Sequence, residues 1–101
     1  MCLTSKILQL ISDAKRGDAE AQYLVGMYYY FEKNDFLTGF YWLKLSADNL
    51  YEKACQTLYA IYNEGYFVKK DEDKARKYLL KSRLPFIKNE YNKAFGNIFE
   101  E

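Results

Sequence analysis

Apolar residues recur at helical spacing along almost the whole chain. Ile7, Leu8, Leu10, Ile11 and Ala14 form a first stripe, which predicts a helix over residues 5–16. Lys15 and Arg16 suit the negative end of its dipole, and Gly17 is placed to end it. Asp18 is an N-cap for a second helix over 19–33, with Ala21, Leu24, Val25 and Tyr28 on its packing stripe. Gly26 inside that helix costs about 1 kcal/mol relative to alanine, which close approach by a neighbouring helix would offset. Tyr28, Tyr29, Tyr30 and Phe31 follow as four successive aromatics. Successive helical residues turn by about 100°, so the four cannot all face one core.

Asp35 caps a third helix over 36–47, with Phe36, Phe40, Leu43 and Ala47 on one side and Gly39 again allowing close packing. Asp48 and Asn49 close it. A fourth helix over 51–64 carries Ala54, Leu58, Ile61 and Tyr62, and Gly65 terminates it. Residues 66–70 read as a loop anchored by Val68. Asp71, Glu72 and Asp73 open a fifth helix whose body is 74–83, acid first and base last, as the dipole favours. Pro85 cannot continue a helix and disfavours helical Leu84. It should therefore separate off a sixth helix over 86–99, with Ile87, Tyr91, Ala94, Phe95 and Ile98 as its stripe. No stretch reads as a strand or a linker.

The stripes repeat. Ala21, Gly26, Tyr29, Asp35, Trp42, Lys44, Ser46 and Ala47 form one unit, and Ala54, Leu58, Tyr62, Gly65, Val68, Asp71, Ala75, Tyr78, Lys81 and Ser82 form the next, starting 33 residues later. A period of roughly 20–50 residues marks a stacked helical array. The spacing resembles the Sel-one-like repeat, a relative of the tetratricopeptide repeat. That resemblance implies an all-α superhelix of antiparallel helix pairs in one domain. Residues 5–17 would be an N-terminal capping half-repeat, 18–50 and 51–84 two whole repeats, and 86–99 a C-terminal capping helix. Two departures stand out. The first repeat has a shortened loop without the family's Gly-rich turn, and Tyr59 replaces the Gly of the Leu-Gly pair. Secreted members of the family carry paired cysteines in each repeat. This chain has only Cys2 and Cys55.

Composition narrows the function by exclusion. A chain of 101 residues suffices for one core. It has no histidine, which removes the commonest base and metal ligand, and its two distant cysteines have no zinc spacing. No glycine loop resembles a phosphate-binding fingerprint. The Asp71–Asp73 carboxylates are explained by a helix start. The expectation is a non-catalytic protein without cofactor or metal. The N-terminus does not read as a secretion signal, and no apolar run approaches the roughly 18 residues of a membrane span. A cytoplasmic location with free thiols follows as an expectation.

Two surfaces could carry binding. By the family resemblance, the first helix of each pair lines a concave groove. Its residues would be Glu20, Tyr23, Met27, Tyr30 and Phe31 from the first repeat, with Lys53, Gln56, Ala60, Asn63 and Glu64 from the second. Tyr23, Met27 and Tyr30 share one helical stripe, and tyrosine and methionine are favoured at recognition surfaces. The competing reading is that this stripe is core; the difficulty of satisfying so many tyrosine hydroxyls inside favours exposure. The second surface is basic: Lys70, Lys74, Lys77 and Lys81 recur as a ridge on the fifth helix, and residues 69–93 hold nine Lys/Arg against four Asp/Glu. A solvated outer face accounts for such a ridge as well as an acidic partner does. A formal net charge of +1 argues against nucleic acid. The expected function is protein binding, most sharply as a small immunity protein that neutralises a cognate bacterial toxin. The alternative is an adaptor in signalling or regulation, and an exposed aromatic patch could also pair two copies of the chain.

Overall fold

The structure is a computed structural model. It describes the backbone of residues 3–95 and the side chains of residues 5–84. Five α-helices and one π-helical turn account for most of that span, and no strand occurs among the described residues. The helices are α1 (Leu3–Lys15), α2 (Ala19–Met27), α3 (Phe36–Asp48), α4 (Glu52–Glu64) and α5 (Glu72–Phe95), with the π turn at Tyr28–Glu32. Each helix packs on the one before it, and α3 also touches α5.

Aspartates start α2, α3 and α5, and left-handed residues follow α1, the π turn, α3 and α4. The Asp18, Asp35 and Asp71 carboxylates accept from the backbone N–H groups of Ala21, Thr38 and Lys74 at 3.1, 3.2 and 3.0 Å. These caps satisfy donors that have no partner within the helix. Gly17, Asn34, Leu50 and Gly65 all have positive φ. After α1, the Gly17 and Asp18 N–H groups turn back to the carbonyls of Ala14 and Asp13; after α3, Leu50 and Tyr51 do the same to Ala47 and Ser46. Both are Schellman closures, the second with leucine where glycine is usual.

The two interior glycines meet each other. A methyl group added at Gly26 would lie 2.8 Å from Leu43 Cγ, and one at Gly39 would lie 2.6 Å from the Tyr30 backbone nitrogen. Helices α2 and α3 therefore cross backbone against backbone, as the sequence led one to expect. Buried Ser46 locks the crossing by donating to the Ala19 carbonyl at 2.7 Å. Buried Gln22 donates to the Ala14 carbonyl at 3.1 Å and accepts from Asn49 at 3.1 Å, tying α1 to the end of α3.

The four successive aromatics are resolved by the π turn rather than by an unbroken helix over 19–33. The Lys33 N–H bonds to the Tyr28 carbonyl, five residues back, at 3.1 Å. The extra residue in the turn lets neighbours face different ways. Tyr29 packs with Trp42 on a small cluster of Ala14, Ala21 and Val25. Tyr30 enters the larger core of Leu43, Ala47, Ala54, Cys55, Leu58, Ile61, Tyr62, Ala75 and Tyr78.

Pro85 does not separate two helices. α5 runs through it to Phe95. Proline removes one N–H, but no glycine nearby supplies a left-handed stop, and Leu84, Lys88 and Glu90 around it are good helix formers. The separate capping helix expected over 86–99 is thus continuous with α5 as far as Phe95; residues 96–99, the side chains of its apolar stripe and the Cys2 thiol lie outside the described residues.

Candidate functional site

Tyr30 is a correction to the expected groove. It is 0% exposed, and its hydroxyl donates to the Tyr66 carbonyl at 2.6 Å. The π turn carries it under α3 instead of leaving it on the open stripe. Burial, then the neighbouring Tyr62, pushes its pKa up. Met27 and Tyr23, one and two turns earlier, are half-buried against the same core. The Tyr23 ring lies 5.5 Å from that of Tyr51, whose hydroxyl donates to the exposed Glu20 carboxylate at 3.4 Å. On α4, exposed Gln56 donates to Glu52 at 3.0 Å, and half-buried Asn63 donates to exposed Glu64 at 3.3 Å. Phe31 remains 46% exposed. The stripe of expected groove residues therefore passes from open to fully covered as it nears the π turn.

The lysine ridge is divided by its contacts. Lys81 Nζ lies 2.9 Å from the Asp48 carboxylate and 5.6 Å from the centre of the Tyr78 ring. Lys77 sits over the same ring at 5.8 Å, and Lys74 over the Tyr62 ring at 5.5 Å. The Tyr62 and Tyr78 rings are parallel, with centres 5.9 Å apart. Burial, then Tyr62, Asp48 and Cys55, push the Tyr78 hydroxyl up to about 12. These lysines hold their ammonium groups over a buried tyrosine pair, in cation–π geometry. Lys69 and Lys70 are exposed, and among the described residues neither is paired with a carboxylate.

Lys69, Lys70 and Lys74 converge on a cleft that periodicity alone does not reveal. It opens where the first turn of α3 meets the loop between α4 and α5, and has a volume of about 480 Å³. Tyr30, Phe36, Phe40, Tyr62 and Phe67 supply its aromatic surface, with Leu37 and Val68 beside them. The Phe36 and Phe67 rings stack at 3.8 Å and 17°, and the Tyr30 ring meets them edge-on at 5.2 and 5.9 Å. Phe67 holds this position with φ of +58°, a left-handed conformation that costs a non-glycine residue about 1–2 kcal/mol. Leu37 is 88% exposed and Phe67 62%. Asp71 is the one carboxylate of the lining, and it is taken up at the N-terminus of α5 by the Lys74 N–H.

Of these residues, sequence reasoning named Lys70 and Lys74 as surface and Phe36, Phe40, Tyr62 and Val68 as core. Leu37 and Phe67 were passed over. Their signal was a second large apolar residue, two positions after the Asp35 cap, and an aromatic pair, Tyr66-Phe67, at a turn where glycine or polar residues are usual.

The one cysteine among the described residues is shielded. The Cys55 thiol is buried, donates to the Ala47 carbonyl at 3.6 Å, and has its pKa raised chiefly by that burial. Among the described residues, no group of three or more His, Cys, Asp or Glu is placed to hold a metal ion, and no helix is long and apolar enough to cross a membrane. The chain is thus an all-helical protein with an aromatic cleft rimmed by lysines. No protein-family model, curated protein or solved structure matches it.

Proposed function

We propose that this chain is a non-catalytic protein-binding module, built as a short superhelix of tetratricopeptide-type pairs of the Sel-one-like kind. The repeated unit, the glycine-mediated contact of α2 with α3, and the packing of each helix on its predecessor support that architecture. One observation carries the binding function. Leu37 and Phe67 are 88 and 62% exposed and line the cleft beside Phe36, and Phe31, 46% exposed, packs its ring 5.0 Å from that of Tyr30. Clustered exposed apolar side chains are unfavourable in water unless a partner covers them, and they mark interaction sites. In its sharpest form the function is that of an immunity protein, a one-to-one inhibitor of a cognate bacterial toxin.

The test is capture from native cell extract at moderate salt, with wild type and Leu37→Glu compared. A protein retained one-to-one by the wild type and lost with Leu37→Glu, at unchanged melting temperature, is the expected result. Retention of the same proteins by both forms, or of none by either, refutes the reading.

A further inference from the structure

We infer that the cleft between the start of α3 and the α4–α5 loop binds an acidic peptide segment, seating one large apolar side chain of that segment against Leu37, Phe67 and Tyr62. The inference rests on the protein-binding reading and narrows it to a partner chemistry. Charge is the first ground. Three lysines edge the cleft, and its single carboxylate, Asp71, already accepts the Lys74 N–H at 3.0 Å. Lys69 and Lys70 have no carboxylate partner among the described residues. In a chain of net charge +1, that is a local excess of positive charge beside apolar surface. Such a rim attracts acidic partners and repels basic ones.

Shape is the second ground. A volume of about 480 Å³ falls within the range of ligand sites, roughly 300–1,000 Å³. It admits a large side chain with part of its flanking backbone. Phe67 keeps a strained backbone and an exposed ring, held in place by stacking on Phe36. Nucleic acid fits less well. Its bases favour open aromatic platforms, whereas here the stacked pair is closed on itself and the most exposed apolar group is aliphatic Leu37.

Selection from displayed random dodecapeptides tests this. Enriched peptides are synthesised and titrated by fluorescence anisotropy against wild type, Leu37→Glu, Lys70→Glu, Lys74→Glu, the Lys70→Glu, Lys74→Glu double variant and the control Lys15→Glu on α1, with melting curves for each. The expected peptides carry an aromatic residue or leucine flanked by Asp or Glu. Their affinity should fall at least about tenfold with Leu37→Glu and with the double variant, and hold with Lys15→Glu. Affinity should also weaken as salt rises. No enrichment, peptides without acidic residues, or affinity indifferent to both lysine reversals overturns the inference. So does a dT20 oligonucleotide that binds the cleft more tightly than any selected peptide. The two levels separate cleanly. A cellular partner that is lost with Leu37→Glu but indifferent to the lysine reversals sinks the acidic segment and leaves protein binding standing. A wild type that binds neither a selected peptide nor a cellular partner removes both.

Discussion

Tyr23, Met27 and Tyr30 on α2 and the π turn, and Phe36, Leu37 and Phe67 around the cleft, are two apolar groups of similar make-up, only a few ångströms apart where Tyr30 meets Phe36. The first is progressively covered: half-buried at Tyr23 and Met27, fully buried at Tyr30. The second reaches outward, with Leu37 at 88% and Phe67 at 62% exposure. Helical periodicity picks out the first group and says its members share a face. It does not say whether another element lies over that face. The difference teaches that a shared helical face does not by itself fix its fate: Leu8 and Leu24, on the expected stripes of α1 and α2, stay 61 and 40% exposed, while Tyr30 is closed over by its neighbours.

The contrast is broken most severely by truncation. Tyr30→Ala should cost about 3–5 kcal/mol of unfolding free energy, since it empties a fully buried aromatic site and orphans the Tyr66 carbonyl. Leu37→Ala should stay within about 0.5 kcal/mol. Gly39→Ala tests the same packing from the other side. Its methyl would meet Tyr30 at 2.6 and 2.7 Å, an overpacking worth about 2 kcal/mol against a helix-propensity gain of about 1. Urea denaturation measures all three. Equal losses at Tyr30 and Leu37 would mean that the two groups are not different in kind.

Alkali sharpens the comparison by acting on buried hydroxyls. Tyr78 is raised to about 12 in the folded chain, and Tyr30 and Tyr62 are raised in the same direction by burial. An unfolded tyrosine ionises near 10. Below pH 10 both states keep the proton and the contribution is whole. Between pH 10 and 12 the unfolded state loses protons that the folded state retains, so stability falls as pH rises. For Tyr78 the loss is on the order of 2 kcal/mol. Denaturation midpoints measured from pH 9 to about 11.5 should drop, and Tyr78→Phe should flatten part of the slope. An unchanged slope in that variant would place Tyr78 in contact with water.

Much of the fold was legible because its punctuation is chemical. Asp18, Asp35, Gly17 and Gly65 mark helix ends through capping and left-handed geometry, and Gly26 and Gly39 announce a close crossing that the structure contains. Where the punctuation is missing, the reading failed. Leu50 takes the left-handed position without being glycine, and the π turn at Tyr28–Glu32 has no residue type of its own. Pro85 looked like a stop, yet the helix passes through it. The cleft was harder still. Phe36 and Phe67 stack although they are 31 residues apart in sequence, and that juxtaposition depends on how α3 and the α4–α5 loop pack. Lys70 and Lys74 could be named from spacing, but what they stand beside could not.

The smallest expected effect tests the division within the lysines. Lys81 has a carboxylate at 2.9 Å and a tyrosine ring beneath it; Lys70 has neither among the described residues. With the Lys81 side chain 25% exposed and Asp48 57%, the ion pair contributes no more than about 1 kcal/mol and is screened by salt. Lys81→Ala should therefore lower stability by roughly 0.5–1 kcal/mol at low salt, a little of it from lost packing over Tyr78. Asp48→Asn should remove the ionic part alone, and the difference from wild type should shrink in about 1 M salt. Lys70→Ala should leave stability unchanged at either salt and act only on partner binding. Were Lys70→Ala to destabilise the chain as much as Lys81→Ala, Lys70 would be fastening the fold as well, and the positive charge at the cleft would need no acidic partner to explain it.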